Sequence, residues 1–259
     1  MEALRKRRWA ERLTLLAAFL CFGAVAAALV GAIGSGRGAW HFRVGFKFLE
    51  YALYAGAAGI LVALVAMFFA WRGRPRLVLV NLLALLVAVV FVAYLGNQIR
   101  IARTVPGIHD IATNLDDYPR FYRLPVRADN LEHVPDMGRP EWAALPPRER
   151  WKAVHREYYG DIASIRVPWS VAETTTRARR LADSRGWEVV TFDAGNGILE
   201  AVETSRFFRF KDNIVVRVRP VSDGAGAIVD MRSISRVGVS DVGVNARRVR
   251  SFLADLRRE

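Results

Sequence analysis

The sequence predicts an α+β protein in two parts: an N-terminal unit of three transmembrane helices, then an antiparallel sheet of about five strands with two helices packed on one face. Three observations predict it. Three apolar runs, residues 13–33, 51–71 and 77–95, carry no charge. Two hairpin signals lie close together in the carboxy-terminal part. Two amphipathic helical stripes bracket those hairpins.

Each apolar run is close to the ~20 residues with which a helix crosses the hydrocarbon core. A backbone in lipid must satisfy its own hydrogen bonds, so the runs are helices. The first follows "RKRR" but exceeds the ~7–15 residues of a signal-peptide core, and it is read as retained. Gly23, Ala27 and Gly31 on the first helix, and Ala52 with Gly56 and Ala55 with Gly59 on the second, have the spacing that lets helix backbones approach. Asn81, the one strongly polar residue of the third run, is read as an interhelical hydrogen-bonding residue. "WHFRVGFKFLEY", before the second run, mixes aromatic and basic residues as interfacial segments do. No charge sits deep in a run, which argues against a transporter or proton relay.

Basic flanks set the orientation. Arg5, Lys6, Arg7, Arg8 and Arg12 precede the first run, and Arg72, Arg74 and Arg76 fill the turn before the third. The opposite side has Arg37, Arg43, Lys47, Arg100 and Arg103, so eight face five and the amino terminus is expected in the cytoplasm. Three spans then put the carboxy-terminal part on the far side, the periplasm in a bacterial inner membrane.

The net charge of +13 raises the question of nucleic acid. From residue 96 onward there are 27 Lys and Arg against 22 Asp and Glu, a net of +5, and the other +8 flanks the apolar runs. With no dense basic block and no nucleic-acid motif, a nucleic-acid partner is not expected. Cys21 is the single cysteine and lies in the first run, which leaves no disulfide within the chain and no cysteine-based metal site.

Residues 1–95 are thus the transmembrane unit, 96–147 an extended connector, and 148–259 the α+β domain. Prolines at 106, 119, 125, 135 and 140 interrupt the connector, which is expected to drape over the domain. "PPRERWKAVHREYYG" is a short helix with Pro147 near its first position. "IASIRV" is a short strand. "SVAE" is a capping box, Ser170 capping and Glu173 reaching back, for a helix that runs to Arg185 and stops at Gly186. "AGNG" and "VSDGAG" are the two hairpin turns. The last helix presents Val242, Ala246, Val249, Phe252, Leu253 and Leu256 on one face, with Arg247, Arg248, Arg250 and Arg257 mostly on the other.

"IHDIATNLDDYPRF", "YGDI", "RFFRFKDNIVVRVRP" and "RSISRVGVSDVGVNARRVRSFL" together resemble the bacterial family known as domain of unknown function 1499, over roughly residues 106–256. The last two blocks are the most specific. Gly160 stands where the family's usual "YPDI" has proline. The resemblance implies short membrane-helix runs before the domain, as here. It implies no reaction.

Three places hold residue types that could carry chemistry. In "RSISRVGVSDVGVN", Arg232, Ile234 and Arg236 alternate with Met231, Ser233 and Ser235, which are expected to face the helices. Ser240 or Asp241 is the expected cap of the last helix. A serine nucleophile would need a base in reach, and His109, His133 and His155 are all distant in sequence. In "HDIATNLDD", His109, Asp110, Asp116 and Asp117 match no metal-site spacing, and turn formation explains them; no metal or cofactor is expected. Arg217, Arg219, Arg232 and Arg236 are expected to share the face away from the helices, with Arg206, Arg209 and Lys211 at its start. Arginine suits carboxylate and phosphate, so this face is the candidate surface for anionic lipid, cell-wall polymer or an acidic protein. The competing expectation is a solvated face balanced by Glu200, Glu203, Asp212 and Asp230. The expected function is a membrane-anchored envelope protein that binds or scaffolds without catalysis. An envelope hydrolase or transferase, and a lipid-binding cavity between helix and sheet, are the alternatives.

Overall fold

The computed structural model describes residues 2–71, 73–222 and 224–258, and side chains from residue 8 onward within them. Arg72 and the side chains of Arg5, Lys6 and Arg7, used for orientation, lie outside the described residues, as does Asp223 of the second hairpin turn. The chain divides into two compact units, Met1–Arg100 with Arg206–Arg209, and Ile101–Ser205 with Phe210–Glu259.

The first unit holds α1 (Glu2–Gly36), α2 (Phe42–Ala70) and α3 (Pro75–Thr104). Among the described residues three helices are long and apolar enough to cross a membrane, Arg8–Gly36, Phe42–Ala70 and Pro75–Thr104. At 1.5 Å per residue each reaches about 44 Å, more than a ~30 Å hydrocarbon core requires. They outrun the apolar runs because nothing in the flanks breaks a helix. From Phe42 onward the aromatic and basic segment read as preceding the second helix is part of it, with His41 as the N-cap. The third continues through the polar "GNQIRIART" until Pro106 approaches. α1 and α2 touch closely at glycines: a methyl group at Gly31 would fall 2.3 Å from the Phe48 Cβ, one at Gly45 2.4 Å from the Ser35 Oγ, and one at Gly59 2.8 Å from the Cys21 Sγ. Gly23, expected to do the same, does not, since a Cβ there meets nothing within 4 Å. Asn81 Nδ2 donates to Thr14 Oγ1 at 2.9 Å and so ties α3 to α1.

The second unit contains β1 (Asp110–Ala112), α4 (Pro140–Ala143), α5 (Pro147–Tyr159), β2 (Ile165–Val167), α6 (Val171–Ser184), β3 (Glu188–Asp193), β4 (Ile198–Thr204), β5 (Lys211–Pro220), β6 (Ala227–Ser235) and α7 (Val244–Leu256). The sheet is antiparallel in the order β1-β6-β5-β4-β3, and β2 pairs with the other half of β6. It has six strands where about five were expected. The sixth is β1, a three-residue piece of the proline-rich segment whose Ile111 sits opposite Ser233. That segment is therefore part of the sheet, and it places Ile108, Ile111 and Trp142 in the main core.

One face of the sheet carries that core. Ile214, Val216 and Val218 of β5 and Val229 and Met231 of β6 are at most 2% exposed. They share the core with Ala178 and Leu181 of α6, Val249 and Phe252 of α7, and Trp151 of α5. Trp187 stacks on Phe252 with ring centroids 5.1 Å apart. Ser170 Oγ accepts from the Glu173 amide as expected. The reciprocal half of the box is replaced, because the Glu173 carboxylate accepts from Arg177 Nη2 at 2.8 Å. Gly186, at φ 70°, ends the turn after α6.

Candidate functional site

The opposite face of the sheet carries the arginines. In the β5–β6 register Arg217 lies opposite Asp230 and Val215 opposite Arg232. Facing residues in an antiparallel pair share a side, so Arg217, Arg219 and Arg232 project together with Asp230. The alternation does put them on the side away from α6 and α7.

That side is not open. Val202, Val215 and Ile234 on it are at most 3% exposed, and Leu124 is 8% exposed. Segment 117–125 is bound across it as a strap. The Glu200 carboxylate, fully buried, accepts from the amides of Tyr122 at 2.6 Å and Arg123 at 3.0 Å, and from Thr191 Oγ1 at 2.8 Å. Asn213 Nδ2 donates to the Pro125 carbonyl at 2.7 Å.

Each predicted arginine has a partner inside the chain. Arg232 makes a bidentate pair with Asp110, Nε to Oδ1 at 2.9 Å and Nη2 to Oδ2 at 2.6 Å, with side chains 6% and 2% exposed. Its guanidinium carbon lies 4.4 Å from the Tyr118 ring centroid. Burial works against the Asp110 charge, but the charge and hydrogen bonds of Arg232, with Asn130, outweigh it and hold the carboxyl below the usual aspartate range. Arg217 binds Asp117 Oδ2 and Asp230 Oδ2, both at 2.9 Å. Arg219 reaches Asp230 Oδ2 at 2.8 Å. Arg236 Nε donates to Asn213 Oδ1 at 2.7 Å. The counter-charges on this face are Asp110 and Asp117 of the strap region, which were not expected, together with Asp230 of β6, which was. Sequence reasoning missed this because Asp110 lies 122 residues from Arg232. Ile234, apolar between two arginines on a supposedly solvated face, was the signal that something covers it.

The acidic residues and the histidine of "HDIATNLDD" are dispersed in the same way. Asp110 serves Arg232, Asp117 serves Arg217, and Asp116 takes Lys152 Nζ at 2.8 Å. His109 lies beside Asn130, with Nε2 3.1 Å from Asn130 Oδ1 and Nδ1 3.0 Å from the Val239 carbonyl. Asn130 in turn donates to Asp110 Oδ2 at 2.6 Å. This His–Asn–Asp chain adjoins a cavity of about 10 Å³. A single water needs about that much, so no substrate fits there. His155 accepts the Ala112 amide at Nε2, 3.3 Å away, and burial pushes its pKa down to about 4, which keeps it a neutral acceptor.

Ser233 and Ser235 face α7 as expected, but they do more than fill space. Ser233 Oγ donates to Asn245 Oδ1 at 2.6 Å, and Asn245 Nδ2 donates to Ser235 Oγ and to the His109 carbonyl, both at 2.9 Å. Arg248, expected on the outer face of the last helix, turns inward. Its guanidinium pairs with Glu203 and, at 2.7 Å, with Asp212, and also reaches Asn245. The serines are anchors of a buried polar seam between β6 and α7.

The cap of α7 also differs from expectation. Gly243, at φ 72°, occupies the cap position. Asp241 still does the accepting, from Gly243 N at 2.9 Å and Asn245 N at 2.5 Å, while Ser240 Oγ takes the Val242 amide ahead of the helix. Burial raises the Asp241 pKa and those amides oppose it.

Between the paired arginines and this cap runs the loop of residues 236–243. Val237 is 43% exposed, Val239 48% and, just beyond it, Val244 39%. The loop is held firmly: Arg127 Nη1 donates to the Gly238 carbonyl at 2.6 Å, and His109 faces the Val239 carbonyl. Val242 sits at φ 55°. A β-branched residue in the left-handed region is strained, and such strain persists only where the surroundings impose it.

No curated protein matches the chain. The sequence profile of the family described as "Protein of unknown function (DUF1499)" matches residues 110–256. That stretch opens on Asp110, the partner of Arg232, closes at the end of α7, and takes in the strap, the polar seam and the strained loop. It is more than half of the chain, and the chain belongs to the DUF1499 family.

Proposed function

We propose that this is a bacterial inner-membrane protein, multi-pass with a cytoplasmic amino terminus, whose periplasmic α+β domain binds a protein partner in the cell envelope and does not catalyse. The observation that carries the reading is the loop of residues 236–243 with Val244. Three valines at 39–48% exposure stand on a backbone fixed at two carbonyls and strained at Val242. A preorganised apolar ridge loses little freedom on docking. The arginine face gives less support for an anionic partner, since its guanidiniums are already bonded to Asp110, Asp117, Asp230 and Asn213. The far-side placement of the domain is supported by the eight-to-five basic asymmetry and three spans.

Two experiments test the reading. Alkaline phosphatase fused after Glu259 is expected to be active in a bacterial host; a silent phosphatase would move the domain to the cytoplasm. For the partner, a photo-crosslinking residue at Val239 of the full-length protein is expected to capture a discrete protein in cells. The pair Val237→Ser and Val244→Ser should abolish that adduct with the melting temperature unchanged. Undiminished capture by the double variant would remove the loop from consideration.

A further inference from the structure

The first unit contains a cavity that the proposed partner binding does not use. It is a groove of about 580 Å³ between α1 and α2. That volume lies within the ~300–1,000 Å³ of small-molecule sites. Its lining includes Gly23, Ala24 and Ala27 of α1 and Phe48, Ala52 and Ala55 of α2, and Lys47 is the one charged residue among the lining side chains. The two helices touch at Gly31 and Gly45 on one side of the groove and at Gly59 on the other, but a Cβ built on Gly23 meets nothing within 4 Å. Gly23 therefore opens onto free space, and a larger side chain there would fill the groove.

The position of the charge is informative. Along α2 the lining runs from Val44 to Ala55. Eleven residues rise ~16 Å, about half of a ~30 Å hydrocarbon core. The groove thus has the depth of one leaflet, with Lys47 near the end where α2 begins. Arg43 lies one turn earlier on the same side of the helix, and both side chains are exposed. Among the described residues neither makes an ion pair. The nearest acid along α2, Glu50, accepts from Tyr54 Oη at 3.2 Å.

We propose that this groove is a binding site for an anionic phospholipid, with one acyl chain between α1 and α2 and the phosphate held by Lys47 and Arg43. An apolar slot one leaflet deep, with two unneutralised cations at headgroup level, matches an anionic lipid at both ends. Lysine and arginine bind phosphate oxygens through charge-assisted hydrogen bonds on either side of a membrane. The inference rests on the reading of α1–α3 as membrane spans, and that reading has its own test: resistance of the protein to alkaline carbonate extraction. Release by carbonate would overturn the spans and the site with them.

The site is tested on the full-length protein in mild detergent, by native mass spectrometry with added phosphatidylglycerol and, separately, phosphatidylcholine of the same acyl chains. The expected result is one phosphatidylglycerol bound about fivefold or more tightly than phosphatidylcholine, as one surface cation provides. Gly23→Leu should lose both lipids. Lys47→Gln should bring phosphatidylglycerol down toward phosphatidylcholine and leave phosphatidylcholine unchanged. Lys47→Gln alters an exposed side chain, so it keeps the test decisive should Gly23→Leu not fold. Equal binding of the two lipids by the unaltered protein would overturn the proposal. So would phosphatidylglycerol binding indifferent to Lys47→Gln.

Discussion

The two faces of the sheet are built on opposite principles. The face under α5, α6 and α7 is mainly an apolar core with a polar seam at one side, and its helices announce themselves by spacing. The face under the strap is held by Glu200, Asn213 and the Asp110–Arg232 pair, whose partners come from segments far apart in the chain. Burying apolar area is non-directional, so many sequences achieve it. Burying charge succeeds only when each group meets its own partner. The arginines that look like a binding surface in the sequence are, on this comparison, the fasteners of the second face.

The comparison is broken most directly at Arg232. Arg232→Leu strands the Asp110 carboxylate in the interior and is expected to destabilise by about 3–5 kcal/mol, the range for breaking a buried pair. Arg219→Leu, with a side chain 42% exposed, should cost under about 1 kcal/mol. Thermal melts of the detergent-solubilised chain would show the two apart. Removing Asp110 as well, by Asp110→Leu, should recover part of the loss. Equal effects at Arg232 and Arg219 would mean the face is ordinary surface after all.

On the helix-covered face His155 is a titrating weakness. Its folded pKa of about 4 is below the ordinary histidine value of about 6.5, so the unfolded chain binds the proton more readily between those values. Stability from this group is present above about pH 6.5 and is lost as the pH falls toward 4. The full difference is on the order of 3 kcal/mol. Melting temperature measured from pH 7 to 4 should fall, and His155→Gln should flatten that slope. A slope unaffected by the substitution would place the acid sensitivity elsewhere.

The strap gives the next smaller effect. Glu200→Ala leaves the Tyr122 and Arg123 amides without their acceptor, at about 1–3 kcal/mol. Hydrogen exchange at those two amides is expected to accelerate more than exchange in β5. If it does not, apolar contact through Leu124 holds the strap by itself. The smallest effect is at the cap: Asp241→Ala should cost about 1 kcal/mol. It should change no bond on the strap face, so strap exchange rates serve as its control.

What could be read from the residues was whatever depends on near neighbours. Three apolar runs require helices in lipid, the Val249, Phe252 and Leu256 stripe requires a buried helix face, and "AGNG" turns one strand into the next. The alternation around Arg217 and Arg232 correctly placed their side chains on the face away from the helices. It could not say what covers that face. β1 is three residues among prolines and exists because β6 has an edge to pair with. Arg248 sits among exposed arginines in the sequence, yet it turns inward to Glu203 and Asp212. Val242 takes a positive φ that its own side chain disfavours. Spacing along a helix or strand is a local property and so is written in the sequence. The partner of a buried charge is chosen by which distant segments the fold brings within about 3 Å, and only the tertiary structure decided that.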